Sequence, residues 1–457
     1  MFNAIYYPMN WIIRDDTNGC TTNIEVEMTE HTTPCTRRHL LKSCGAILTS
    51  AAIPGWSSHL LAMDRAVVAP ADDDWPWWRG PSWNNCAVGD VPPLEWSPSK
   101  NVIWKFRVPG QGHATPCIYR DRIFLATANE EKEIQSLVCC DRSTGRELWH
   151  THAHRGGFMN KHKKNSHASA TPACDGERVL AVFHRDEAIW VTAFDFTGKI
   201  VWQKKVGAYS ERYGYGSSPT IFGQSLIVAA DSKADGFLVA LNRQTGDEIW
   251  RAARPKMASY GPPIVASLKS GRQIVLQGNR VAGYDPQSGR ELWNCQAPAR
   301  ATACTLSFDD QRVYSTGGYP ERGLYSISAD GTGDVTESHI KWRHERKSAT
   351  AYVPSPLLAD GRLYVVSDGG TATCLGANDG RVFWNERLGG GFSASPVLIS
   401  EYIIAPNEAG KTFVFKASDE YQPIAENDME EGIMASPVVC GGRLYLRTIG
   451  HLYCIGA

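Results

Sequence analysis

The sequence lacks the features of a membrane-spanning or nucleic-acid-binding chain. No stretch of 18 uncharged apolar residues occurs, so a spanning helix is not expected. The formal net charge is −1 over 457 residues, which offers no basic surface for nucleic acid or anionic lipid. Apolar residues make up 42% of the chain and charged residues 21%, as in folded globular proteins.

The chain also lacks the motifs of several enzyme classes. It has no Gly-rich phosphate loop, no G-x-S-x-G nucleophile elbow, no H-E-x-x-H and no C-x-x-C. A helical hydrophobic period is missing too, which argues against a helical repeat or an α/β barrel. The secondary structure that the sequence predicts therefore consists of short strands and turns.

The first 71 residues differ from the rest and predict an export leader. Arg37 and Arg38 stand in the run T-R-R-H-L-L-K, which is typical of a twin-arginine signal, and a mildly apolar run follows up to Ala62. Ala71 ends a group of small residues suited to a signal peptidase, with Ala62 as the alternative site. We therefore expect a leader over residues 1–71 and a periplasmic or otherwise exported protein. The alternative is that the two arginines belong to an ordinary helix.

Ten of the 13 cysteines follow the leader, and export would place them in an oxidising compartment. Most of them occupy apolar strand positions, as in S-P-V-V-Cys440. Two interpretations stay open, namely disulfide partners and small buried hydrophobic residues.

The strongest pattern is an internal repeat that ends in tryptophan. One copy is Asp141-R-S-T-Gly145-R-E-L-Trp149, and similar copies recur along the chain. Gly supplies positive φ and the Asp or Asn side chain caps the turn, so each copy predicts a turn between two short strands. We expect the large indole to fill the widening gap between neighbouring repeats. The tryptophans are Trp104, Trp149, Trp202, Trp250, Trp293, Trp342 and Trp384.

A second motif, a small residue followed by Ser or Thr and then Pro, recurs between the tryptophans. Ala-Ser-Pro396 is one copy, and each copy opens an apolar run, where Pro is tolerated at the first strand position. The weakest copy, at 303–306, lacks the Pro but holds the right place, which makes eight strand starts. One period then holds four strands in about 40–55 residues, the length of a propeller blade. The sequence predicts an all-β fold, an eight-bladed β-propeller over residues 101–457.

The eighth copy lacks its outer strand. The chain supplies a third strand at 451–455 and then stops, while a fitting strand with Trp104 stands at 102–106. We expect N- and C-terminal strands to close the ring in one shared blade, which removes exposed sheet edges.

These motifs resemble the repeat of the PQQ-like, or quinoprotein-type, β-propeller family. The likeness rests on Ser-Pro, D-G-R-L-Y and D-x-x-T-G-x-x-x-W, and it covers residues 101–457. The family includes PQQ-dependent alcohol dehydrogenases, the propeller lipoprotein of the outer-membrane assembly machinery and many secreted bacterial proteins of unknown role. Residues 72–100 form a Trp- and Pro-rich segment similar to one that precedes the ring in the last group. We expect its aromatic residues to pack across one face of the ring.

The resemblance implies a PQQ site over the central channel, with a stacking Trp, a vicinal disulfide and a calcium site. Cys139-Cys140 is the pair that such a disulfide would need. The pair falls inside a predicted strand, where successive side chains point to opposite faces. No set of calcium ligands can be identified in the sequence. We therefore expect neither PQQ nor calcium to be bound. A protein that binds both remains the alternative.

Histidines cluster between the first and second predicted blades. His150, His152 and His154 are candidate metal ligands, because imidazole is a common ligand. Their spacing matches no known ligand set, and the lysines that follow would repel a cation. The favoured interpretation is a solvated polar loop without metal.

Propeller geometry places the segments before the inner strands at the mouth of the channel. We expect their aromatic side chains to form a platform for a ligand or peptide, the alternative being loop packing. The candidates are His113, His167, Tyr213, Tyr215, Tyr260, Tyr352 and Phe392.

Taken together, the residues favour a non-catalytic scaffold that binds an unknown protein or small ligand, as a monomer or within an envelope complex. One alternative is a PQQ-dependent quinoprotein oxidoreductase. Another is a subunit akin to the outer-membrane assembly propeller, although Cys44 precedes the apolar run and so makes a poor lipid anchor. No nucleic-acid partner and no transmembrane segment are expected.

Overall fold

The computed structural model describes residues 70–233 and 235–457. Apart from one 3-10 turn at Lys347–Ala349, every regular element in these residues is a β-strand. The strands form eight sheets of four or five strands each. The predicted eight-bladed β-propeller is confirmed. The predicted leader with Arg37 and Arg38 lies outside the described residues, and no described helix is long and apolar enough to cross a membrane.

The first four blades each take four consecutive antiparallel strands. Before them come β1 (Cys86–Ala87) and β2 (Val102–Arg107). Blade 1 holds β3 (Cys117–Tyr119), β4 (Arg122–Asn129), β5 (Ile134–Asp141) and β6 (Glu147–Arg155), and blade 2 holds β7 (Ala173–Cys174), β8 (Arg178–Arg185), β9 (Ala188–Asp195) and β10 (Ile200–Ala208). Blade 3 holds β11 (Thr220–Phe222), β12 (Ser225–Ala230), β13 (Phe237–Asn242) and β14 (Glu248–Ala253), and blade 4 holds β15 (Ile264–Leu268), β16 (Gly271–Leu276), β17 (Arg280–Tyr284) and β18 (Glu291–Gln296).

Blades 5 to 7 also take four antiparallel strands each, and blade 8 takes three strands here. Blade 5 holds β19 (Ser307–Phe308), β20 (Arg312–Gly317), β21 (Gly323–Ser328) and β23 (Ile340–His344), while β22 (Gly333–Asp334) joins the edge of β18. Blade 6 holds β24 (Leu357–Ala359), β25 (Arg362–Val366), β26 (Thr371–Gly376) and β27 (Val382–Arg387). Blade 7 holds β28 (Val397–Ile399), β29 (Tyr402–Pro406), β30 (Lys411–Lys416) and β31 (Pro423–Asp428), and blade 8 holds β32 (Val438–Cys440), β33 (Arg443–Arg447) and β34 (His451–Ile455).

The two ends of the ring meet in blade 8. β2 pairs antiparallel with β34, with Trp104 opposite Cys454 and Arg107 opposite His451. The outer strand of the last blade therefore comes from the N-terminal side of the first blade, as the sequence predicted. First strands of neighbouring blades contact one another, for example β3 with β7, so they line the axis.

The repeated tryptophan seals the joint to the next blade. Trp104 Nε1 donates to the carbonyl of Arg142 at 3.1 Å, and its ring covers Gly145 in the same turn. The same bond runs to the next blade from five other tryptophans: Trp149 to Phe196, Trp202 to Arg243, Trp250 to Pro286, Trp342 to Ala377 and Trp384 to Ser418. Trp293 instead donates to Gln273 in its own blade. The short turn it would cover is replaced by the longer connection that contains β22. Six of the seven tryptophans therefore bond to the following blade.

Replacing Gly145 with Ala should lower the free energy of unfolding by about 3 kcal/mol, because it adds crowding to backbone strain. Gly145 has φ +70°, and a Cβ there would lie 2.5 Å from the Trp104 ring. Gly361 is a matched control, since its φ is +72° and no atom lies within 4 Å of its Cβ position. Gly361→Ala should cost about 1 kcal/mol. Urea unfolding of both variants measures the difference, and equal losses would show that the tryptophan contact adds nothing.

Hydroxyl side chains next to the inner-strand prolines link neighbouring blades around the axis. Thr115 N–H donates to Thr171 Oγ1 at 3.0 Å, and Thr171 N–H donates to Ser218 Oγ at 2.9 Å. The same link runs from Thr305 to Ser355, from Ser355 to Ser395 and from Ser395 to Ser436. The Ser/Thr-Pro motif therefore does more than supply small residues. Its hydroxyl satisfies a buried backbone N–H of the preceding blade.

Residues 72–100, which we call the plug segment, cross the face of the ring opposite the channel mouth. Trp75 exchanges backbone hydrogen bonds with Ile118 of blade 1 at 2.8 Å. Arg79 is fully buried and donates to the carbonyl of Pro356, just before blade 6, at 2.8 Å. Further along, β1 pairs in parallel with β28 of blade 7. The expected packing of this segment across one face is confirmed.

Candidate functional site

A cavity of about 540 Å³ opens on the side of the ring away from the plug segment. Its aromatic lining comes from loops of several blades, and Trp78 of the plug segment lines it as well. Trp78 Nε1 donates to Thr305 Oγ1 at 2.7 Å, which fixes the indole against blade 5. The plug segment therefore supplies part of the wall of this cavity, which we also call the funnel.

Five of the seven predicted mouth residues line this cavity. They are His113, Tyr213, Tyr260, Tyr352 and Phe392. His167 and Tyr215 instead line a small neighbouring recess. His167 stacks on Phe158 with ring centroids 3.8 Å apart, and the Tyr215 hydroxyl donates to the carbonyl of Ala229 at 2.9 Å. Both side chains therefore pack against residues outside the main cavity.

Further polar residues of the cavity, Asp368 and Glu408, come from turns that the sequence analysis did not consider. In an antiparallel blade, the end of the second strand lies beside the start of the first. The turn between the second and third strands therefore also faces the mouth. Asp368 follows β25, and Glu408 follows β29. Tyr319, which is 65% exposed, follows β20 in the same position. Strand order alone could have identified these turns.

Asp368 is held by backbone groups of the neighbouring loop. Its Oδ2 accepts the N–H of Tyr352 at 2.7 Å, and its Oδ1 accepts the N–H of Val353 at 3.1 Å. Burial raises the pKa of the Asp368 carboxyl, although these N–H groups act in the opposite direction. The carboxyl therefore fixes the loop that carries Tyr352.

Residues 156–169, which we call the mouth loop, reach across the opening. Asn165 Nδ2 donates to the carbonyl of Tyr213 at 2.8 Å on one side. On the other side, Lys164 Nζ lies 2.8 Å from Glu408 Oε1, which also accepts the hydroxyl of Ser393. The mouth loop thus joins the blade 3 side of the funnel to blade 7.

The histidines proposed as metal ligands lie on a strand and not in a loop. His150, His152 and His154 belong to β6, which extends the outer edge of blade 1. Only the His150 and His152 rings approach each other, with centroids 5.3 Å apart, and His152 Nδ1 lies 2.7 Å from the Arg155 guanidinium. His154 is buried against Trp190 instead. Among residues 70–233 and 235–457, no three ligand-type side chains are placed to hold a metal.

Acidification should destabilise the protein through its buried imidazoles. Burial, with help from Arg185, lowers the pKa of His154 to about 4, against about 6.5 in an unfolded chain. Between these values the unfolded chain binds the proton and the folded chain does not, so stability falls as pH drops from 6.5 toward 4. From pH 7 to pH 4, the free energy of unfolding should decrease by about 2 kcal/mol less in His154→Phe than in the parent protein. The control His162→Gln changes an exposed imidazole. A parallel decline of the parent and His154→Phe would contradict the assignment.

The cysteine pair does not fit a vicinal disulfide. Cys139 faces Phe124 and the joint to blade 2, whereas Cys140 faces Ile123 and the joint to blade 8. Both thiols are fully buried and neither forms a disulfide, and burial raises the pKa of Cys139 to about 12. All ten cysteines in the described residues are free. The described residues therefore do not fit the vicinal disulfide that a PQQ site of this family implies.

The chain matches a known family over most of its length. A family model described as outer membrane protein assembly factor BamB matches residues 94–208, 133–333 and 334–454. Outer membrane protein assembly factor BamB of Yersinia pestis is 20% identical over 375 residues, which cover 79% of this chain and 89% of that protein. The 1-butanol dehydrogenase (quinone) of Thauera butanivorans is 26% identical over 176 residues, 34% of this chain. That match spans only 26% of the dehydrogenase.

Solved structures of both kinds share the fold. BamB from Moraxella catarrhalis superposes with a TM-score of 0.56 at 15% identity, covering 77% of this chain and 96% of that chain. Quinohemoprotein alcohol dehydrogenase from Comamonas testosteroni gives 0.60 at 11% identity, covering 85% and 81%. At these identities the likeness establishes the propeller fold alone.

Proposed function

The chain belongs to the PQQ-like propeller family whose model is described as outer membrane protein assembly factor BamB, and we propose from this premise that it is a non-catalytic scaffold of the cell envelope. Its binding surface is the mouth cavity, where five predicted aromatic residues meet. That convergence carries the proposal. Concave, largely apolar sites with a few fixed polar groups are the usual places for ligands.

The ionisable groups of the mouth favour binding over catalysis. Glu408 is ion-paired with Lys164, and Asp368 is bonded to two backbone N–H groups. Burial lowers the pKa of His113 to about 4, so its imidazole is neutral near pH 7. Tyr213 and Tyr319 are exposed at the rim, as suits contact with a partner.

The test is site-specific photocrosslinking in cells that make the protein. A photoreactive residue at Tyr319 should capture one defined partner or ligand. The same residue at Phe383, an exposed aromatic on the outer strand of blade 6, should not. Equal capture at both positions would mean that the mouth is not the binding surface.

The quinoprotein alternative has its own test. We propose that the purified protein, incubated with PQQ and Ca²⁺, transfers no electrons from alcohols to an artificial acceptor, because Cys139 and Cys140 face opposite sides of blade 1. Turnover that requires PQQ and disappears in Cys139→Ala/Cys140→Ala would contradict this expectation. The matched control is Cys374→Ala, a buried cysteine in blade 6.

Export remains part of the same proposal. Arg37 and Arg38 support a twin-arginine route, and a partner in the envelope requires such export. Fractionation of Arg37→Lys/Arg38→Lys should find the protein in the cytoplasm, and normal export of that variant would refute the route.

A further inference from the structure

We propose that the mouth cavity binds a substituted ammonium group, which sits against Asp368 and among the rings of Tyr260, Tyr319 and Tyr352. The inference rests on the proposed function, because it names the ligand chemistry of the same cavity. The ligand is thus an organic monocation, either free or at the end of a longer chain.

Asp368 is the carboxylate that lacks a cationic partner. Its hydrogen bonds run to the N–H groups of Tyr352 and Val353, and no ion pair to it occurs among the described residues. Glu408, the other carboxylate of the cavity, is already paired with Lys164. Arg322 is near enough to lower the pKa of Asp368 but makes no hydrogen bond to it. A half-buried, unpaired carboxylate favours a cation that can replace lost water.

Aromatic rings line the same cavity as this carboxylate. The lining includes one indole, four phenols and one phenyl ring, those of Trp78, Tyr213, Tyr260, Tyr319, Tyr352 and Phe392. Aromatic faces attract ammonium groups, and cages of several rings recognise methylated ammonium. Burial raises the pKa of Tyr352 to about 12, so this phenol stays neutral. The wall therefore attracts a cation through its rings and through Asp368, the lining carboxylate without an ion pair.

The hydroxyls of the four tyrosines can form hydrogen bonds with the rest of a ligand. Tyr213, Tyr260, Tyr319 and Tyr352 make no side-chain hydroxyl hydrogen bond within the part of the chain that the structure describes. Each can donate to, or accept from, a group attached to the ammonium. The volume of 540 Å³ lies within the range of small-molecule sites, so it accommodates more than the head group alone.

Basic groups near the cavity do not compete for this role. The ammonium of Lys164 is bound to Glu408, and His113 is neutral near pH 7. Arg79 and Arg447 are buried behind the wall, where they donate to backbone carbonyls such as those of Pro356 and Ala114. Neither guanidinium lines the cavity. An anion would therefore have to displace an existing ion pair, whereas a cation meets a free carboxylate.

The experiment is calorimetric titration of the full chain with choline and with its neutral isostere, 3,3-dimethylbutan-1-ol. Choline should bind saturably and at least tenfold more tightly than the isostere, because only the charge differs. Asp368→Asn should weaken choline binding at least tenfold. Arg322→Ala should leave it unchanged or tighten it. Equal affinities for the two probes, or binding of acetate in place of choline, would overturn the proposal.

Variants of Tyr319 separate a cation–π role from a folding effect. The residue is 65% exposed, so its replacement should not shift the melting temperature. Tyr319→Phe should keep choline affinity within twofold, and Tyr319→Leu should lower it at least threefold. Equal choline affinity of Tyr319→Phe and Tyr319→Leu would show that the aromatic ring of Tyr319 does not contact the ligand. Failure of choline binding with intact crosslinking at the mouth would refute this inference alone, and loss of crosslinking with intact choline binding would refute the scaffold.

Discussion

A chain that begins at Pro109 should fail to form a stable ring, whereas a chain that begins at Lys100 should still melt cooperatively. Both lack the plug segment, so the difference between them is β2. Without β2, the edge of β34 is exposed, together with its unpaired N–H and C=O groups. Trp104, 8% exposed, is lost as well, and removing a buried large aromatic costs about 3–5 kcal/mol. That cost is a large part of the total free energy of unfolding of a domain, which is roughly 5–15 kcal/mol.

Single replacements in the full chain give the same test without truncation. Trp104→Ala should lower the free energy of unfolding by about 3–5 kcal/mol, and Trp342→Ala, at a half-buried indole in blade 5, by less. Urea unfolding followed by circular dichroism measures both. If the chains starting at Lys100 and Pro109 unfold at the same urea concentration, β2 does not close the ring.

Much of the fold was predictable because the propeller repeats a local rule. In five copies the turn holds Gly at positive φ, and the indole of the preceding blade covers that Gly, as Trp104 covers Gly145. These requirements recur at a fixed interval, so they are visible without long-range information. Closure of the ring followed from counting strands in each repeat, because the last repeat lacked an outer strand and the segment with Trp104 could supply it. The opposed faces of Cys139 and Cys140 followed from the two-residue period of a strand.

The site was less predictable because it depends on how connections cross the ring. The mouth loop brings Lys164 to Glu408, two residues 244 positions apart, and no local pattern encodes that pairing. His150 to His154 were assigned to a loop because β6 continues beyond the usual end of the outer strand. Asp368 was missed because only the segments before the first strands were considered. Its position follows from strand order, whereas its hydrogen bonds to a neighbouring loop do not.

Asp231→Asn should destabilise the protein by about 3–5 kcal/mol, because it leaves a buried guanidinium without its carboxylate. Arg254 donates from Nε to Asp231 Oδ1 at 2.8 Å and from its terminal nitrogen to Oδ2 at 2.9 Å. Both side chains are almost completely buried. The pair also borders the site, since the carbonyl of Asp231 accepts the N–H of Ser259, which precedes Tyr260. Choline affinity should therefore fall along with stability.

The double variant Asp231→Leu/Arg254→Met decides whether the charge pair or its burial matters. Removing both charges eliminates their desolvation cost, so this variant should lie within about 2 kcal/mol of the parent. The remaining loss comes from the Tyr284 hydroxyl, which accepts from Arg254 at 2.9 Å and would lose that partner. Denaturant unfolding of the single and double variants completes the comparison. A double variant less stable than Asp231→Asn would show that the ion pair contributes net stability, contrary to the expectation that the lone charge is the costly state.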